Sequence, residues 1–402
     1  MSVRSVLCIL ALTCLFCRST RADEAPPAPT LDPGIPNEWK QEDADPGSHR
    51  AQITTMIQGE IGKLKGTDRA AISGARQWLI RERELSLQFG QHTSAAYLDI
   101  YTHELNDAFV AALSAPNVPV PERVNIAIIT KEVTDDVQTT NLVPTAMLLL
   151  KDKSDGVVLW GQRAALNLLR MSFSNPNAKP ADCDPLRAGI IDAVRTHTSP
   201  PLAEVLAYEA YVGVNPGYFP HGDLSDTAIQ CLIETNLGLQ KTRLALYKTG
   251  VPDGPEVDTN ASEFLLNVNA KVNYWSRLTP DQQLQAVQCA SDLLANAGER
   301  AAALSSSGNR ELITAVTHEA TYLYQLVTAQ FPTPDLQAAL SDVQSLSGSS
   351  RPEVIRKACE AVYPALQAVG AFAALKPPPD IDHIGSSEIG KEESGAVAGQ
   401  GG

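Results

Sequence analysis

Aromatic side chains make up only 5% of the 402 residues, and basic residues are outnumbered, with 32 Lys and Arg against 46 Asp and Glu and a formal charge of −14. Nucleic-acid binding needs a basic face and stacking rings, so both shortages argue against it. The chain contains no G-x-G-x-x-G, no G-x-x-x-x-G-K-[ST] and no G-x-S-x-G; nucleotide binding and α/β-hydrolase chemistry therefore have no support from motifs. Long apolar runs are missing as well. The longest after the N-terminus, 142–150, contains Pro144 and ends at Lys151, far short of the ~20 residues of a spanning helix. Cysteine is scarce: of seven, Cys8, Cys14 and Cys17 crowd the N-terminus, and Cys183, Cys231, Cys289 and Cys359 are widely separated. That is no disulfide framework, although an oxidising compartment would permit one or two bridges among three full pairings. Cys231 and Cys359 sit in helical patterns and read as small buried hydrophobes. Cys183 stands between Asp182 and Asp184, where two carboxylates disfavour a thiolate.

What is present is enough for real cores. Hydrophobic residues form 44% of the chain, and this length accommodates about two or three domains. Residues 1–22 read as a secretory signal: Arg4 supplies a positive start, 6–17 an apolar stretch, and Thr20-Arg21-Ala22 a cleavage exit. The expectation is export to a periplasmic or extracellular location, with no stable membrane insertion of the mature chain. Residues 23–47 carry six prolines, among them Pro33, Pro36 and Pro46, and are expected to form an extended spacer.

From Ser48 onward the spacing is helical, with no sustained period-2 alternation, so the expected fold class is all-α. The N-terminal helices, 48–115, are expected at 50–65, 68–89 and 94–114, with prolines 116, 119 and 121 marking a boundary. In the middle section, 121–215, helices are expected at 121–134 and 142–151. After the polar turn Asp152-Lys153-Ser154-Asp155, another helix presents Val157, Trp160, Gly161, Ala164, Leu168 and Met171 on one face. A loop over 174–184 follows, then helices at 185 onward and at 202–212. Beyond Asn215-Pro216-Gly217, the section 223–372 carries longer patterns at 224–248, 257–277, 280–304, 309–330 and 351–370, which suit a bundle of long helices. In the second of these patterns Leu265, Val268, Val272 and Trp275 form one seam. Residues 373–402, rich in Gly and led by Pro377-Pro378-Pro379, are expected to be disordered.

The segment Leu142-Val143-Pro144-Thr145-Ala146-Met147-Leu148-Leu149-Leu150-Lys151-Asp152, then Asp155-Gly156-Val157-Val158, then Ala164-Ala165-Leu166-Asn167-Leu168-Leu169, resembles one HEAT repeat, with armadillo-type repeats as the near relative. The resemblance covers about residues 121–215. It implies a short HEAT-like α-solenoid in the middle of the chain, flanked by the N-terminal helices and the C-terminal bundle. HEAT proteins carry a basic residue after the Val pair; here that position holds Leu159.

No pattern assembles a catalytic or metal site. His103 and Asp107 share a helix face, but the two-His zinc motif requires His at the fifth place; His318-Glu319 has Tyr322 where a ligand should be. Asp253, Glu256 and Asp258, and Asp380 with Asp382, do not follow the calcium-loop pattern and read as solvated loop charges. Asp135-Asp136 read as solvated neighbours. Asn260-Ala261-Ser262 is a glycosylation sequon. No cofactor is implied. The expected function is that of an exported non-enzymatic protein-binding or scaffold protein, its partner a protein or peptide. The alternatives are an all-α enzyme acting on an envelope polysaccharide and a structural envelope component. Arg163, Asn167 and Arg170, off the apolar stripe of their helix, are the candidate partner contacts.

Overall fold

The computed structural model describes residues 33–84, 92–137, 139–174, 180–199, 202–215, 224–247, 255–269, 273–304 and 309–378. The expected signal and most of the glycine-rich tail lie outside them. Among the described residues the chain is all-α, with fourteen α-helices and no strand. It divides into two compact units, 1–108 and 109–402, the division falling within the third helix.

The first unit holds α1 (Arg50–Leu64), α2 (Arg69–Arg81) and most of α3 (Ala95–Leu113). On α1, Ile53, Ile57, Ile61 and Leu64 recur at helical intervals and are buried, which gives the helix its inner face. Asp68 caps α2 by accepting hydrogen bonds from the Ala70 N–H at 2.8 Å and the Ala71 N–H at 3.3 Å. Residues 33–47 differ from the expected spacer. Ile35 is buried, Asn37–Trp39 form a 3-10 turn, and the Lys40 ammonium lies 2.7 Å from the buried Glu82 carboxylate. Glu82 also accepts the Ile35 N–H at 2.8 Å, Trp78 donates its indole N–H to the Pro33 carbonyl at 3.3 Å, and the Ser94 N–H bonds the Lys40 carbonyl at 2.8 Å. Its partners come from residues more than 40 positions away, which no local pattern announces.

The second unit carries α4 (Val120–Asp136), α5 (Val143–Leu150), α6 (Asp155–Ser174), α7 (Pro180–Thr196), α8 (Leu202–Val214), α9 (Asp226–Tyr247), α10 (Pro255–Leu266), α11 (Pro280–Ala303), α12 (Arg310–Gln330), α13 (Pro334–Gln344) and α14 (Pro352–Gln367). Proline stands in the first turn of α4, α5, α11, α13 and α14, where the missing N–H has no helical partner to lose. Thr279 and Gln282 close a capping box at the start of α11.

The helix expected over 68–89 ends at Arg81, and four further features of the second unit differ from the sequence reading. The loop expected over 174–184 gives way to helix from Pro180, with Pro185 inside α7. The helix expected over 257–277 ends at Leu266, and Trp275 sits instead in a 3-10 turn, Trp275–Arg277; Val272 of the expected seam lies outside the described residues. Helix α13 was not foreseen; it buries Leu336, Ala339, Leu340 and Val343. The tail is packed as far as Leu375: Phe372 lies against Phe331 and Trp275 at ring separations of 4.9 and 6.5 Å, and Lys376 exchanges two hydrogen bonds with Gln288 at 2.7 and 3.0 Å.

The packing order in this unit is regular. Each helix touches the one two places on: α4 with α6, α5 with α7, α6 with α8, α7 with α9, α8 with α10, α9 with α11, and α10 with α12. Helices α11 to α14 then close on one another, α11 on α12 and α14, and α13 on both α12 and α14. The contacts of α7 and α8 with α9 cross the proline-glycine segment that was read as a domain boundary. Close approach depends on glycine at two crossings. A Cβ on Gly161 of α6 would sit 2.7 Å from Leu149 Cβ and 3.1 Å from the Leu149 backbone carbon on α5, and one on Gly213 of α8 would sit 2.5 Å from a Leu166 methyl on α6. Backbone cannot move aside as a side chain can. Gly161→Ala is therefore expected to destabilise the fold by about 1–2 kcal/mol in chemical denaturation, overpacking outweighing the ~1 kcal/mol by which Ala favours a helix.

Candidate functional site

Helix α6 lies among its neighbours with a strip of half-exposed residues, and that strip contains the three positions singled out from the sequence. Arg163, Asn167 and Arg170 fall at i, i+4 and i+7, on one face. Arg163 Nε donates to the two Glu209 carboxylate oxygens of α8 at 2.9 and 3.0 Å, and its guanidinium lies 4.8 Å from the Trp160 ring centre. Asn167 Nδ2 donates to the Asp135 carboxylate and, at 3.4 Å, to the Thr134 hydroxyl, both on α4. Arg170 Nε donates to the Gly213 carbonyl of α8 at 3.3 Å; burial pushes its pKa down against the opposing pull of Asp135. The structure brings all three together as ties from α6 to its neighbours. Of Arg163, 30% of the side chain stays exposed.

Polar ties of this kind recur along the unit. Gln162 Nε2 donates to the Leu206 carbonyl at 2.7 Å, Arg187 of α7 pairs with Glu234 of α9, Tyr211 of α8 donates to Asp258 of α10 at 2.8 Å, and Gln285 Nε2 of α11 reaches the Leu237 carbonyl of α9 at 3.4 Å. Together with Arg163 and Glu209, these partners stand 44 to 48 residues apart. Each joins a helix to the second one along.

The densest polar grouping is internal. Asp258 was read as a solvated loop charge, but it lies within α10 and is 3% exposed. Its oxygens accept from Arg243 Nε of α9 at 3.0 and 3.3 Å, from Arg243 Nη2 at 3.1 Å and from the Tyr211 hydroxyl. Beside it, Ser262 donates to Glu319 Oε1 of α12 at 2.6 Å, while Glu319 Oε2 has no hydrogen-bond partner. Glu319 is fully buried. Desolvation above all, with a repulsive push from Asp258, raises its carboxyl to about 8, and the Ser262 hydrogen bond works in the opposite direction. Two buried carboxyls in unlike surroundings resemble the acid/base pairs of hydrolases. Here neither faces solvent, so the cluster binds α8, α9, α10 and α12 to one another. No sequence signal marks it: Arg243 and Asp258 belong to different helices 15 residues apart, and Glu319 is 57 residues from Ser262.

His103 and Asp107 face each other at 3.5 Å on an exposed surface, and no group of three or more His, Cys, Asp or Glu is placed to hold a metal among the described residues. Asp253, Asp380 and Asp382 lie outside those residues. Asn260 of the sequon is in α10, donates to the Val257 carbonyl at 2.8 Å, and is followed by a buried Ser262. On the surface, α7 and α9 border an open groove of about 490 Å³ lined by Arg187, Ala188, Ile191, Asp192, Arg195 and Glu234. Its walls carry both signs of charge around an aliphatic floor. No helix among the described residues is long and apolar enough to cross a membrane. Comparison with protein-family models, curated proteins and solved structures finds no match to this chain.

Proposed function

We propose that this chain is an exported, non-enzymatic protein-binding or scaffold protein. In this reading the HEAT-like stack expected over 121–215 comprises α4 to α8, the same packing order continues to α12, and α11 to α14 close into a bundle. The observation that carries it is the alternation of contacts, each helix packing on the second one along, with five of the interhelical ties spanning 44 to 48 residues. A HEAT unit spans ~40–47 residues. Stacked pairs leave outward positions free to vary, and such surfaces recognise proteins and peptides. The groove between α7 and α9, with Arg187 and Arg195 set against Asp192 and Glu234, offers an extended peptide both charge and a greasy floor. The partner is a protein or peptide, and no cofactor takes part.

The test uses the full chain as bait against the compartment it is exported to, beside a variant carrying Ala188→Asp and Arg195→Glu. Both positions are exposed, so the variant should keep the helical circular dichroism of the parent. The expected result is a partner retained by the parent and lost by the variant. A chain that captures nothing above bare matrix and instead releases sugar from an envelope polysaccharide would replace this reading with the enzymatic one.

A further inference from the structure

Helices α7 and α9 run side by side in register. Arg187 pairs with Glu234, and Ile191 lies against Gly238, where a Cβ would come within 2.7 Å of the Ile191 Cδ1 methyl. One turn back from Arg187 on α7 is Cys183; one turn back from Glu234 on α9 is Cys231. The register that joins the first two pairs therefore places the two cysteines opposite each other, and their thiols are within hydrogen-bonding reach. Neither is in a disulfide and both are buried, at 2% and 3% exposure.

The remaining cysteines are arranged differently. Cys359 of α14 faces Gly298 of α11, with its Sγ 2.5 Å from where a Cβ would stand. Cys289 lies earlier on α11, ~13 Å along the axis from Gly298 at 1.5 Å per residue. A disulfide requires Cα atoms within ~7 Å. Cys289 and Cys359 cannot meet.

We propose that Cys183 and Cys231 form a disulfide joining α7 to α9 when the chain folds in contact with an exchangeable disulfide such as oxidised glutathione. The two thiols together give up two protons and two electrons as their S–S bond forms, and the oxidant's S–S bond is reduced to two thiols. The cross-link closes a long loop, which restricts the unfolded chain, and it locks the α7/α9 register that borders the groove. The inference stands on the helix register and is independent of what the protein binds.

The test is to refold the full chain in oxidised and reduced glutathione and, in parallel, to treat the folded chain with the small oxidant diamide. Remaining thiols are then alkylated in denaturant and the tryptic peptides mapped. The expected product links the peptide holding Cys183 to the peptide holding Cys231, with Cys289 and Cys359 alkylated. The oxidised protein should melt several degrees higher than the reduced one, and this difference should vanish in Cys183→Ser and in Cys231→Ser. Alkylation of Cys183 and Cys231 after both treatments, or a bridge to Cys289 or Cys359, would overturn the proposal.

Discussion

Replacing Arg243 by Met is expected to cost the fold about 3–5 kcal/mol, read as a fall in the guanidinium midpoint. The side chain is fully buried against Asp258, with three N–H to oxygen contacts between 3.0 and 3.3 Å. Methionine fills much of the same volume, so the loss comes from the charge it strands. Asp258 would be left as a carboxylate at 3% exposure with the Tyr211 hydroxyl beside it, and an isolated buried charge is far costlier than an absent pair. Adding Asp258→Asn removes that charge and keeps an acceptor for Tyr211. The double variant should recover most of the loss. A single-variant cost below about 1 kcal/mol would place Arg243 in water rather than between α9 and α10.

The second large effect depends on pH and belongs to Glu319. Burial raises its carboxyl from the ordinary 4.5 to about 8. In the unfolded chain the group ionises near its ordinary value. Between roughly pH 4.5 and 8 the folded state therefore holds a proton that the unfolded state has released, and its stability falls as pH rises through that window. The whole contribution is present below the lower value and lost above the higher one. At about 1.4 kcal/mol per pKa unit the difference is on the order of 4–5 kcal/mol. Glu319→Gln mimics the protonated side chain and can still accept from Ser262. Its stability profile should lack this decline, so the variant gains over the parent from pH 5 to pH 9. Parallel profiles for the two proteins would contradict the burial of this carboxyl between α10 and α12.

Much of the helical architecture was legible because it is local. The stripe Val157, Gly161, Ala164 and Leu168 follows the helical period, and each of these residues is buried; prolines at first-turn positions marked the starts of α4, α11 and α14. What was missed depends on partners distant in sequence. Lys40 looked like part of a spacer because nothing near it announces Glu82, 42 positions away. Asp258 looked solvated because its partners, Arg243 and Tyr211, belong to two other helices. The break after Leu266 was hidden by apolar residues that keep the helical step while the backbone leaves the helix. Arg163, Asn167 and Arg170 stand off the apolar stripe of α6, and a polar residue there can face either water or the polar edge of an adjoining helix. Only the packing decides, and it turns these three toward α4 and α8.

The stacked order of the helices is the claim on which the partner-binding proposal rests, and distances between genetically encoded spin labels test it most directly. One label is placed at Asp136 at the end of α4, with the second in turn at Tyr208 on α8, Glu263 on α10 and His318 on α12, all exposed positions. Packed helices stand ~8–10 Å apart. The account predicts distances that lengthen in that order, by about one such step for each added helix. A label on α12 found as near to α4 as the label on α8 would mean that the helices close into a compact cluster, and the extended recognition surface would be lost with the stack.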